Sequence, residues 1–180
     1  MKKESWFTWK DLVYFICLIA LMVGLRMFVF SSITVNGASM DPTLQDREKI
    51  IGLKLGEIHR FDIVTFDAPD NPGTDYIKRV IGLPGETVSY KNDQLYINDK
   101  AYSEDYLDQY KSELTDDLPL TMDANMSEDF SVKVPEGSYF VLGDNRRVSK
   151  DSRFIGSIER DKIDSNAKFV IWPLNQMGTV

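Results

Sequence analysis

YIKRVIGLPGETVSYKNDQLYI, residues 76–97, holds three runs rich in β-branched and aromatic side chains: Tyr76 to Ile81, Thr87 to Lys91 and Gln94 to Ile97. Asn92 and Asp93, between the last two, suit a hairpin turn. The same kind of run recurs upstream at Ile33 to Val35, Lys49 to Leu55 and Asp62 to Phe66, and downstream at Phe130 to Val134, Tyr139 to Leu142 and Ala167 to Trp172. Pro69, Asn71, Pro72 and Gly73 mark a tight loop just before the Tyr76 run. Short strands at this spacing, with no internal repeat, predict a mainly β fold built on an antiparallel sheet.

Ahead of these strands, Leu12 to Phe30 is apolar apart from Gly24 and Arg26. Such a run, rising roughly 1.5 Å per residue as a helix, matches the thickness of a bilayer hydrocarbon core. It reads as one transmembrane helix at 12–30. Lys2, Lys3 and Lys10 precede it and Asp41 and Asp46 follow it, so residues 1–11 are expected in the cytoplasm and residues 31–180 outside. Trp6 and Trp9 suit the inner interface, and Arg26 lies near enough to the outer end to extend its head to water. The competing reading is a cleaved signal peptide with Val35 and Gly37 at its cleavage site, but the apolar run is longer than such peptides use. Cys17, within the helix, acts as a small apolar residue.

The chain of 180 residues has room for one domain beyond the anchor. Its net charge of -7 argues against a nucleic-acid partner, which would require clustered Lys and Arg. A single histidine, His59, and a single cysteine leave no Cys/His metal cluster and no internal disulfide to be built, while a carboxylate-only metal site stays open but unsignalled. Residues 103–129 are acidic and poor in β-branched side chains, which predicts an inserted surface excursion, partly helical, and a plain solvated loop in preference to a partner site.

Ser39 stands in the turn Asn36-Gly37-Ala38-Ser39-Met40-Asp41-Pro42, where Gly37 lets the backbone bend and Pro42 stops a helix from continuing. A serine so placed can present its hydroxyl, but it is a nucleophile only beside a base. His59 sits in a polar loop entry that fits an ordinary exposed histidine. Lys78 shares a strand face with Tyr76 and Val80, whose apolar surface can shed water from it. Burial of that kind lowers a lysine pKa from about 10.4 toward the range a general base needs. A wet position on an edge strand is the alternative. A third segment, Leu142 to Arg153, crowds short polar and charged side chains after a buried-looking strand. There Ser149 can exchange a hydrogen bond with the lysine amine, and Asp144, Asp151 and Arg153 can form an ion-pair scaffold, unless the segment is simply an exposed turn.

These segments resemble, in order, the boxes of bacterial type I signal peptidases, the membrane serine proteases with a Ser-Lys dyad, and Gram-positive ones in particular. The resemblance is carried by the anchor, Ser39-Met40-Asp41-Pro42-Thr43-Leu44, Arg60-Phe61-Asp62-Ile63-Val64, Tyr76 to Glu86, and Gly143-Asp144-Asn145-Arg146 leading to Asp151-Ser152-Arg153. It implies Ser39 as nucleophile, Lys78 as base, Ser149 as the serine that orients the lysine, and Asp151 with Arg153 as a structural ion pair. A serine–lysine mechanism would need no cofactor. It further implies shallow pockets for small residues at positions -1 and -3 of a secretory preprotein, with Val35, Met40, Leu44, Tyr76 and Ile77 as wall positions. The implied fold is a coiled antiparallel β scaffold anchored in the lipid bilayer. Gly37 stands where some members carry a serine that supports the oxyanion, so the Ser39 amide needs another donor beside it. Two other readings compete: a non-catalytic anchored module that assists assembly of surface proteins, and a self-cleaving repressor-type protease. The second would place a DNA-binding domain where the apolar helix stands.

Overall fold

In a computed structural model the described residues are 8–116 and 118–180; Lys2, Lys3 and Trp6, used above to orient the anchor, and Asp117 of the acidic stretch lie outside them. The first element is the helix α1 (Trp9–Phe28), opened by a capping box in which Thr8 and Asp11 exchange hydrogen bonds. None of its side chains is buried by the rest of the chain, as expected of an apolar rod of roughly 30 Å. The apolar run continues to Phe30, but the helix does not. Val29 caps it, and Phe30 already pairs with Leu53 as the first residue of a strand.

Twelve strands follow among the described residues: β1 (Phe30–Thr34), β2 (Lys49–Leu53), β3 (Ile63–Asp67), β4 (Asp75–Gly82), β5 (Thr87–Lys91), β6 (Gln94–Ile97), β7 (Lys100–Tyr102), β8 (Phe130–Lys133), β9 (Ser138–Leu142), β10 (Ile158–Glu159), β11 (Ile163–Trp172) and β12 (Gly178–Thr179). They form a large antiparallel sheet in the order β1-β2-β11-β3-β4-β9-β10, with β12 on β11, and a small one in the order β7-β6-β5-β8. The β5–β6 hairpin turns at Asn92 and Asp93, both at positive φ, as a two-residue hairpin loop requires. Asn98 and Asp99 repeat the device and lead into β7. Two short helices, α2 (Asp108–Glu113) and α3 (Ser152–Ile155), complete the fold.

The sheets meet at Gly82, where a Cβ would overlap the methyl groups of Val88 and Val134. Strand β4 therefore lies among three apolar clusters. Ile77 packs with Ile33, Met40 and Leu44, Val80 with Val64 and Phe66, and Ile81 with the small sheet through Val88 and Tyr90. From Ile77 to Gly82 the strand is buried on both faces, so Lys78 sits in a central strand rather than on a wet edge.

The acidic excursion is not a plain solvated loop. Leu107, Tyr110 and Leu120 form a core of their own, and Glu104 and Thr121 are buried with them, while Asp105, Asp108, Glu113 and Asp116 face water.

Candidate active site

Immediately after β1, Val35 exchanges backbone bonds with Glu48 and Arg47, so the turn that follows is closed at its base. Gly37, at φ +87°, donates its amide to Asp46 at 2.8 Å, which swings Ser39 out of the sheet. Behind it, Met40 and Leu44 sink into the core and fix the turn from below. Among the described residues, the Ser39 amide donates to no acceptor.

From β4, Lys78 reaches the same point. Its Nζ lies 2.8 Å from Ser39 Oγ and 2.9 Å from the Ile77 carbonyl, with the Tyr76 ring centred 5.1 Å away. The lysine is 3% exposed. That burial lowers its pKa from 10.5 to about 8, against the opposing pull of Asp151 and Asp144. A buried amine near neutrality, in contact with a hydroxyl, has the chemistry of a general base beside a nucleophile.

The loop after β9 ties both arms together. Asn145 donates its amide to the Ser39 carbonyl at 3.1 Å. Asp144, wholly buried, receives two bonds from Arg79, at 2.9 and 2.6 Å, and one from Thr43 at 2.6 Å. It thus spans the residue after Lys78 and the segment after Ser39. Asp151 pairs with Arg153 through two 2.8 Å contacts, accepts the Gly143 amide and caps α3. Gly143 admits no side chain, because a Cβ there would collide with Ser149 Oγ and the Ser39 carbonyl.

Ser39, Lys78, Val35, Met40, Tyr76 and Ile77 line one cavity of about 450 Å³, rimmed by Val148 and Lys150. Leu44 does not reach it; fully buried, it lies beneath the turn. Ser149 lies in the same loop, but among the described residues its buried Oγ has no hydrogen-bond partner, and the lysine donates to Ile77 instead. Asp144 does not share Arg153 with Asp151; each carboxylate has its own arginine. His59 is exposed, 3.6 Å from Asp62, and does not line the cavity. Among the described residues no three His, Cys, Asp or Glu side chains gather as metal ligands.

Arg79, Thr43 and Glu104 escaped the sequence reading. Arg79, the residue after Lys78, pairs with Asp144, and no local signal pointed to it, since Arg146, Arg147 and Lys150 stand nearer to Asp144 in sequence.

Residues 6–172 match the family described as signal peptidase, peptidase S26. The chain is 39% identical to signal peptidase I of Streptococcus pneumoniae serotype 4, over 94% of this chain and 96% of that protein. It is 42% identical to signal peptidase I S of Bacillus subtilis strain 168, over 98% and 94%. In a crystal structure of a signal peptidase I from Enterococcus faecalis V583, 97% of that chain superposes on 62% of this one, with a TM-score of 0.56 and 40% identity.

Proposed function

The chain belongs to the signal peptidase (peptidase S26) family, and we propose from that premise that it is a membrane-anchored serine endopeptidase that removes N-terminal signal peptides from exported preproteins after small residues of Ala-x-Ala type. The observation that carries the reading is the 2.8 Å contact between Ser39 Oγ and a lysine whose pKa burial brings to about 8.

In this mechanism the preprotein lies extended in the cavity, with small side chains against Val35, Met40, Tyr76 and Ile77. Neutral Lys78 accepts the Ser39 proton as Oγ attacks the scissile carbonyl carbon. The oxyanion receives the unengaged Ser39 amide. When the C–N bond breaks, the lysine ammonium gives its proton to the leaving amine, and the mature protein departs. The signal peptide remains as an ester on Ser39. Water, deprotonated by the same lysine, then attacks the ester, and Ser39 recovers its proton as the peptide leaves. Asp144, Asp151 and Arg153 fix the strands and the loop that frame the dyad, and Ser149, whose Oγ is bonded to nothing among the described residues, is the serine that orients the lysine amine.

Helix α1 serves as the anchor, with residues 1–11 in the cytoplasm and the β domain outside; Lys10 on its leading side supports this orientation. Strand β1 follows it at once and rises about 17 Å over its five residues before Val35 meets the cavity, so the dyad stays near the outer membrane surface. Anchoring enzyme and substrate in one bilayer raises their effective concentration. The test is cleavage of an Ala-x-Ala peptide by the detergent-solubilised full chain. Ser39→Ala and Lys78→Met are each expected to abolish it with folding retained, and cleavage retained in either variant refutes the dyad.

A further inference from the structure

The acidic excursion buries one carboxylate against one guanidinium. Arg146 is wholly buried and Glu104 is 4% exposed, a costly arrangement unless every donor is matched. Here all are matched. Arg146 donates from Nε to the Gly143 carbonyl at 3.0 Å, and from Nη1 to the hydroxyls of Tyr90 and Thr121 at 2.9 and 3.1 Å. Its Nη2 donates to Glu104 Oε1 at 2.5 Å and to the Tyr106 hydroxyl at 3.0 Å. Burial works to raise the Glu104 carboxyl, but Arg146 and the two tyrosine hydroxyls outweigh it and hold the pKa below its usual value. Burial likewise raises Tyr90 and Tyr106, so the network keeps one charge state through the physiological range.

The connection to the site runs through the backbone. Arg146 follows Asn145, whose amide holds the Ser39 carbonyl, and its own carbonyl is held by Arg153. Tyr106 adds a second contact, its ring centred 4.1 Å from the guanidinium of Arg79, the residue after Lys78. The excursion therefore grips the segment that holds the nucleophile and the strand that carries the base.

We propose that Glu104 is a positioning residue for cleavage: through Arg146 it fixes the loop that holds Ser39 in register with Lys78, which gives the acidic excursion a role in setting the site. The inference rests on the Ser39–Lys78 reading above. Glu104 does not line the cavity, and its removal shifts the loop and its rim at Val148 while leaving the walls Val35, Met40, Tyr76 and Ile77 in place.

The test measures kcat and KM for an Ala-x-Ala peptide in the detergent-solubilised full chain, per molecule folded at the assay temperature by far-UV circular dichroism. Glu104→Gln keeps the shape and removes the charge. It is expected to lower kcat per folded molecule by about tenfold or more while KM stays within about twofold, because an ångström of misplacement is felt in the chemical step and not in ground-state binding. Tyr106→Phe, which loses one hydroxyl from the network and keeps the ring over Arg79, lowers kcat in the same sense by less, and decides the matter alone if Glu104→Gln does not fold. A kcat per folded molecule within twofold of the parent in both variants, with only the melting temperature lowered, overturns the proposal. Ser39→Ala, run in parallel, separates the two claims: residual cleavage there overturns the dyad itself, whereas its loss together with unchanged Glu104 and Tyr106 variants overturns only the positioning role.

Discussion

Replacing Lys78 by Met should make the protein more stable while making it inactive. A lysine moved from water to its site in β4 has its pKa lowered from 10.5 to about 8 by burial. At neutral pH the folded protein therefore holds an ammonium that it binds less well than the unfolded chain does. At roughly 1.4 kcal/mol per pKa unit, the displacement corresponds to a penalty of about 3 kcal/mol. Methionine fills a similar volume without charge, but forfeits the bonds to Ser39 Oγ and the Ile77 carbonyl, about 1 kcal/mol in sum. The expected net gain near pH 7 is thus about 2 kcal/mol. The sign of its pH dependence follows from proton counting. Between pH 8 and 10.5 the unfolded parent binds a proton that the folded parent has released, so the parent gains stability as pH rises through that window, whereas below pH 8 both states are protonated and the penalty is constant. The advantage of Lys78→Met should be flat from pH 6 to 8 and shrink by about 2 kcal/mol by pH 10. Urea unfolding of both proteins in the same detergent, followed by far-UV circular dichroism, measures the difference, and the remaining titrating groups cancel in it. A variant less stable than the parent at pH 7, or an advantage that does not change between pH 7 and 10, refutes the assignment of a desolvated lysine.

If neutral Lys78 is the base, kcat/KM should climb about tenfold per pH unit below its pKa near 8 and level off above, and a profile flat from pH 6 to 8 excludes it. Asp144→Asn leaves the buried Arg79 guanidinium without its counter-charge and should cost about 3–5 kcal/mol, measured as a drop in unfolding free energy. Gly143→Ala places a methyl group against Ser149 Oγ and the Ser39 carbonyl, so both stability and cleavage should fall; parent-like behaviour would mean that the loop yields freely. His59→Ala, at an exposed loop position away from the cavity, should change stability by less than about 0.5 kcal/mol and leave cleavage untouched, as read by melting temperature and peptide turnover.

The fold was legible wherever a local pattern sufficed. Asn92-Asp93 between two β-branched runs names a hairpin, because few residues tolerate positive φ at both turn positions. Strands β10 and β12, two residues each, and β7, three residues long, have too little length for any periodicity to show. The face of Lys78 was legible in part. Alternation groups it with Tyr76 and Val80, but only the assembled sheets reveal that both faces of β4 are covered. In the excursion, charge masked burial: Glu104 looks like its acidic neighbours until Arg146, forty-two positions away, closes on it. No local signal distinguishes a carboxylate that will be paired at that separation from one that will face water.

The two buried ion pairs around Lys78 fit what the proposed lysine base would require. A neutral amine is favoured by an apolar site, yet a serine turn and a loop must be held against it without water, and carboxylates are the side chains that can accept several backbone and hydroxyl donors at once. Asp144 holds Thr43, and Asp151 holds the Gly143 amide and the start of α3. Each of those charges pulls the lysine pKa upward, away from the value the chemistry needs. Arg79 and Arg153, bonded to them at 2.6 to 2.9 Å, satisfy those carboxylates so that they can stay buried beside the amine. Burial then remains the largest influence on Lys78, and the framework can be rigid and charged without turning its base into a permanent cation.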